Sequence, residues 1–91
     1  MIELKGLNGE SLIHDGATLA KFRHGGREEA ARNPLSTFRE AQVKHKPGKR
    51  GKPGRYEVLI AMAAFFALSV EEERKPELDA LIAALESGAA A

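Results

Sequence analysis

The sequence predicts an α+β domain, mainly antiparallel β and closed by one late helix. Three observations predict it. Asp15-Gly16 lies between two extended segments, Ser11 to His14 and Ala17 to Arg23. The stretch from Tyr56 to Val70 is nearly unbroken apolar sequence, so the core must be built around it. After Pro76, the residues Leu78, Leu81, Ile82 and Leu85 recur at the spacing of one helix face.

Taken in order, Ile2 and Leu4 alternate with Glu3 and Lys5, the pattern of a short half-buried strand. Asn8-Gly9 marks a turn. Asp15-Gly16 is a strong local hairpin signal, because a two-residue turn of that kind needs positive φ at both positions. Thr18, Ala20 and Phe22 share one face of the following strand, with Leu19, Lys21 and Arg23 on the other. His24-Gly25-Gly26 ends it, and the polar run Arg27 to Arg32 is read as a loop or one helical turn. Asn33-Pro34 favours a turn, and Leu35 to His45 reads as another strand, with a bulge or bend after Phe38.

Lys46 to Arg55 is a turn-rich basic stretch, and its Pro-Gly breaks make it a hairpin tip. The run from Tyr56 onward supports two readings. Tyr56, Val58 and Ile60 favour strand, while the Ala and Met content after residue 61 favours helix. In the first reading two strands, Arg55–Met62 and Phe65–Val70, are joined at Ala63-Ala64, which carries no glycine, asparagine or aspartate. In the second, one buried helix runs from Glu57 to Leu68. Pro76 to Glu86 is an amphipathic helix, with Pro76 suited to its first turn, Glu77 and Asp79 to the positive end of its dipole, and Gly88 to its stop. A single domain over 1–87 with a disordered tail at 88–91 follows.

Composition narrows the function classes. The 91 residues allow one modest core, and the formal net charge of +1 gives no global attraction to polyanions. With no cysteine, disulfides, thiol nucleophiles and cysteine-metal sites are excluded. Met1 to Lys5 has no secretory pattern, and Val58 to Leu68 is shorter than the about 20 apolar residues of a membrane-spanning helix, so a cytoplasmic location without a transmembrane segment is expected.

Four passages resemble a bacterial pleckstrin-homology-like domain, of the kind found in actinobacterial domains of unknown function, often beside a short C-terminal oligomerisation segment. Gly6-Leu7-Asn8-Gly9 followed by Asp15-Gly16 is similar to its opening hairpin. Phe22-Arg23-His24-Gly25 resembles the end of its next strand. Pro34-Leu35 through Phe38, and Val43 to Lys46-Pro47-Gly48, resemble a third. Phe66 through Arg74-Lys75 to the Leu78/Leu81/Leu85 helix resembles its last strand and closing helix. The resemblance implies a bent antiparallel β-barrel or sandwich capped by the C-terminal helix. It tips the ambiguous run toward strand, and it transfers no catalytic residue and no cofactor.

The charge is concentrated. Lys44, Lys46, Lys49, Arg50, Lys52 and Arg55 stand among glycines that permit close backbone approach to an anion, which makes them candidates for an acidic lipid head group or nucleic acid. The competing explanation is a solvated tip whose charge serves solubility. The stretch does not match the phosphate-loop pattern, since no Ser or Thr follows Lys52. His14, His24 and His45 have no metal-ligand spacing, no serine sits in a nucleophile elbow, and the acid runs Glu28-Glu29 and Glu71-Glu72-Glu73 are read as a solvated turn and a helix start.

The expected function is therefore non-enzymatic: a binding or scaffolding module for protein–protein association, or alternatively an anion-binding module through the basic loop 44–55. Self-association is expected on a further ground. Val58, Ile60 and Met62 occupy one face of the apolar run, and Leu59, Ala61 and Ala63 the other, so a sheet face that normally meets water is apolar too.

Overall fold

The computed structural model describes residues 1–89 and contains seven strands followed by one helix. Strands β1 (Ile2–Lys5), β2 (Ser11–His14), β3 (Thr18–Arg23) and β4 (Glu28–Pro34) form one antiparallel sheet in sequence order. Strands β5 (Glu40–Lys46), β6 (Arg55–Ala61) and β7 (Phe65–Glu71) form a second. Helix α1 (Lys75–Ala89) follows, packing on β1 and β2 of the first sheet and β7 of the second. The class is α+β, as expected. The two sheets are hydrogen-bonded separately among the described residues, so the barrel form of the expectation does not close.

One core joins the three parts. Leu4, Leu12 and Leu19 come from the first sheet, Val58, Ile60, Phe66, Leu68 and Val70 from the second, and Leu78, Leu81 and Leu85 from the helix. The run from Tyr56 to Val70 is a hairpin of two strands, which removes the helical alternative. Its loop, Met62 to Ala64, manages without glycine because none of its residues has positive φ. The Met62 N–H donates to the Ala64 carbonyl (2.9 Å), and the Asn33 side chain accepts the Ala64 N–H (2.9 Å).

The β2–β3 hairpin falls where Asp15-Gly16 placed it, but only Gly16 has positive φ. The connection is one residue longer than the expected pair, and the Asp15 carboxylate holds it by accepting the N–H groups of Ala17 (2.9 Å) and Thr18 (2.7 Å). The paired positive φ expected there occurs instead at Asn8 (62°) and Gly9 (73°), between β1 and β2.

Three element boundaries differ from expectation. Arg27 to Arg32, read as a loop or helical turn, belongs to β4 from Glu28 onward. That strand is an exposed edge whose polar side chains pair with each other rather than enter the core. Leu35 to His45 is not one strand: Leu35–Thr37 is a single 3-10 turn, and β5 begins at Glu40. The helix starts at Lys75 and runs through Gly88 to Ala89, so Gly88 does not stop it. Of the tail expected at 88–91, the first two residues are thus helical and the last two lie outside the described residues.

Gly6 sets the distance between the sheets. A Cβ there would stand 2.6 Å from Leu68 Cδ1 and 2.7 Å from the Ser69 carbonyl oxygen, too close for any side chain to be added without moving β7. Nearby, Lys21 projects from the core-facing side of β3 and donates from Nζ to the Ala67 carbonyl (2.7 Å) on β7.

Candidate functional site

The basic residues singled out in the sequence lie on and around the β5–β6 hairpin. Its tip is closed by reciprocal backbone bonds, Lys49 N–H to the Lys52 carbonyl (3.1 Å) and Lys52 N–H to the Lys49 carbonyl (2.9 Å), with Gly51 at positive φ between them. Register places Lys46 opposite Arg55 and Lys44 opposite Glu57. Because strand side chains alternate, Lys44, Lys46, Arg55 and Glu57 all project from the outer face of the second sheet.

Lys46, Lys49, Lys52 and Arg55, with Pro47, Pro53 and Glu57, surround an open groove of about 540 Å³. Four of the six candidate cations are thus brought together. Lys44 stands beside the groove on the same face, and Arg50 sits at the exposed tip. Glu57 is the acid within the group, 3.9 Å from Lys46 Nζ and 3.6 Å from Arg55 Nη2. Both pairs are solvent-exposed, so they hold those side chains only weakly. Lys44, Lys49, Arg50 and Lys52 have no ion-pair partner among the described residues. The groove is therefore a concave cationic surface with four side chains uncommitted in or beside it.

The base of the hairpin is fastened by a residue the sequence reading passed over. Glu72, read there as part of a solvated helix start, accepts from His45 Nε2 (2.6 Å) and from the Gly54 N–H (2.9 Å). Its carboxylate lies where a Gly54 Cβ would be, so glycine is required for that approach. Tyr56 stacks on the His45 ring with centroids 4.8 Å apart, and Lys75 Nζ stands 5.7 Å from the Tyr56 ring centre. Nothing in the local sequence marks this clamp, since its members lie 27 and 18 residues apart.

The other two histidines meet protein groups. His24 pairs with Glu28 (3.1 Å) at the β3–β4 connection, and His14 Nδ1 accepts the Gly16 N–H (3.2 Å). Asp15 forms the most strongly perturbed group. The N–H groups of Ala17 and Thr18, then the Thr18 hydroxyl, hold its carboxyl well below the usual carboxylate range, with Arg32 adding a smaller push. These partners are protein groups, the nearest in the turn itself and Arg32 on the neighbouring β4, so the shift reports the turn and its support. Among the described residues no His, Cys, Asp and Glu side chains cluster to hold a metal ion, and no helix is long and apolar enough to cross a membrane. Compared with known proteins, the chain matches no protein-family model, no curated protein and no solved structure.

Proposed function

We propose that this chain is a non-catalytic scaffolding module of pleckstrin-homology-like architecture that works by protein association, first of all with a second copy of itself. One observation carries the reading. Apart from Met1, the large apolar side chains that are exposed, Val43, Leu59 and Phe65, all belong to the three-stranded sheet. Leu59 is 40% exposed and Phe65 74%, and both lie on its outer face, with the exposed Ala67 directly across from Leu59. Apolar groups gathered on one sheet of a small domain are the usual mark of a contact surface. Light scattering tests the reading: the apparent mass is expected to rise above 9.8 kDa as concentration increases. A mass that stays at the monomer value throughout rejects self-association.

A second reading is favoured by the groove between Lys46, Lys49, Lys52 and Arg55. In it the hairpin binds an anionic surface, either acidic lipid or nucleic acid. On duplex DNA the affinity should then fall with salt at a logarithmic slope of about −0.9 per phosphate contacted. Flotation with phosphatidylserine vesicles against titration with duplex DNA separates the two ligands. Binding that survives the combined change Lys49→Ala, Arg50→Ala and Lys52→Ala rejects the hairpin as the site.

A further inference from the structure

Each sheet has two outer edges, and three of the four are occupied or blunted. The β7 edge receives Lys21 on the Ala67 carbonyl and is approached closely by Gly6. Strand β1 is only four residues long, and helix α1 packs on it. Strand β4 ends in Pro34, which has no N–H to donate, and its pairing with β3 is broken by a register shift at Lys21/Phe22. The β5 edge has neither device. It is seven residues long, pairs in unbroken register with β6, and has no strand on its other side among the described residues. Val43, at its midpoint, shares the core-facing side with Val58 and is nevertheless 40% exposed, so that side of the sheet is open along the same edge.

We infer that the β5 edge pairs with the β5 edge of a second copy, antiparallel about a two-fold axis at Val43, so that two three-stranded sheets become one. This rests on the self-association reading above, but places the contact on the β5 edge, in a stated register, rather than on the outer face of Leu59 and Phe65. The strand reads Glu-Ala-Gln-Val-Lys-His-Lys. Folded onto itself at Val43, it sets Glu40 opposite Lys46 of the second copy, Ala41 opposite His45, Gln42 opposite Lys44 and Val43 opposite Val43. Glu40, Gln42, Lys44 and Lys46 all lie on the outer face, so each pair joins side chains of the same face. The symmetry makes the Glu40–Lys46 attraction occur twice, once at each end.

Neighbouring registers fare worse. A slip by one residue sets outer-face groups against inner-face groups. An axis at Lys44 places that cation against itself. An axis at Gln42 also keeps an opposite-charge pair at each end, Glu40 with Lys44, but sets His45 and Lys46 opposite Arg39 and Phe38, which lie outside the strand. The Val43 axis uses all seven residues of β5.

Charge reversal tests this, because these exposed side chains can be changed without disturbing the core. In low salt, sedimentation equilibrium should show dimerisation of Glu40→Lys weakened by about ten-fold or more, since two attractive cross-strand pairs become two repulsive ones. Lys46→Glu should weaken by the same factor. An equimolar mixture of the Glu40→Lys and Lys46→Glu variants should recover wild-type affinity as a heterodimer, because opposite charges then face each other again at both ends of the paired strands. Lys44→Glu should dimerise like the wild type, whereas weakening in both Glu40→Lys and Lys44→Glu with Lys46→Glu unaffected would move the axis to Gln42 and overturn this register. If the wild type dimerises, neither Glu40→Lys nor Lys46→Glu weakens it, and Phe65→Ser abolishes it, the β5 pairing is overturned while self-association through the outer face stands. A wild type that stays monomeric overturns both.

Discussion

The turn between β2 and β3 and the tip between β5 and β6 both join antiparallel neighbours, but they treat their polar atoms in opposite ways. At the first, both carboxylate oxygens of Asp15 are filled: Oδ1 accepts the N–H groups of Ala17 and Thr18, and Oδ2 accepts the Thr18 hydroxyl (2.9 Å) and Arg32 Nη1 (2.8 Å). Arg32 in turn reaches Glu29 (2.6 Å). At the second, the tip is closed by backbone bonds between Lys49 and Lys52, while the side chains of Lys49, Arg50 and Lys52 reach no ion-pair partner among the described residues. Among the described residues, the side-chain hydrogen bonds that reach this hairpin from outside come from Glu72, and they act at its base. A charged group whose partners all lie within the fold contributes to folding. A charged group that the fold leaves uncommitted remains available to something else.

The contrast can be broken at either end, and the effects should descend in order. Asp15→Ala removes the acceptor for two backbone N–H groups and for Arg32. It should lower the thermal midpoint, followed by circular dichroism, by several degrees. The pH dependence carries a definite sign. Asp15 titrates lower in the folded protein than its ordinary value of 3.8, so its contribution is full above that value and is lost as pH falls below it. The difference in midpoint between wild type and Asp15→Asn should therefore hold steady from neutral pH to about 4 and shrink below. A difference that grew on acidification would contradict the turn's role. Gly54→Ala comes next: it drives the Glu72 carboxylate off the Gly54 N–H and should cost about 1 kcal/mol in urea unfolding. The smallest effect on stability belongs to the tip. Lys49→Ala, Arg50→Ala and Lys52→Ala should each change the unfolding free energy by no more than about 0.5 kcal/mol.

The same contrast explains what the sequence made legible. The Asp15-Gly16 hairpin and the Leu78/Leu81/Leu85 stripe were readable because their information is local: a turn residue in one case, a fixed spacing in the other. The β6–β7 hairpin was only half readable. Its turn carries no glycine or asparagine, because Asn33 supplies the acceptor from a strand in the other sheet. Strand β4 was hidden by its composition. Arg32 and Glu29 satisfy each other at the surface, so the strand has no apolar alternation to display. The basic cluster was legible as a run of charge, and pairing between β5 and β6 explains why four of its members converge. The Glu72 clamp was not legible, since its partners come together only once the helix start is placed against the hairpin base.

Within each sheet, every strand is hydrogen-bonded to its neighbours in sequence, and no crossover intervenes. That order has a kinetic consequence. Each hairpin can close over a short loop, at little entropic cost and on the microsecond scale of isolated hairpins. The contacts that span the chain lie in the seam, where Lys21 meets Ala67, Gly6 meets Leu68, Asn33 meets Ala64 and α1 meets β1. Docking of two largely formed meanders should therefore limit the folding rate. Substitutions at Gly6 or Lys21 should slow refolding, while those at the β5–β6 tip should leave it unchanged.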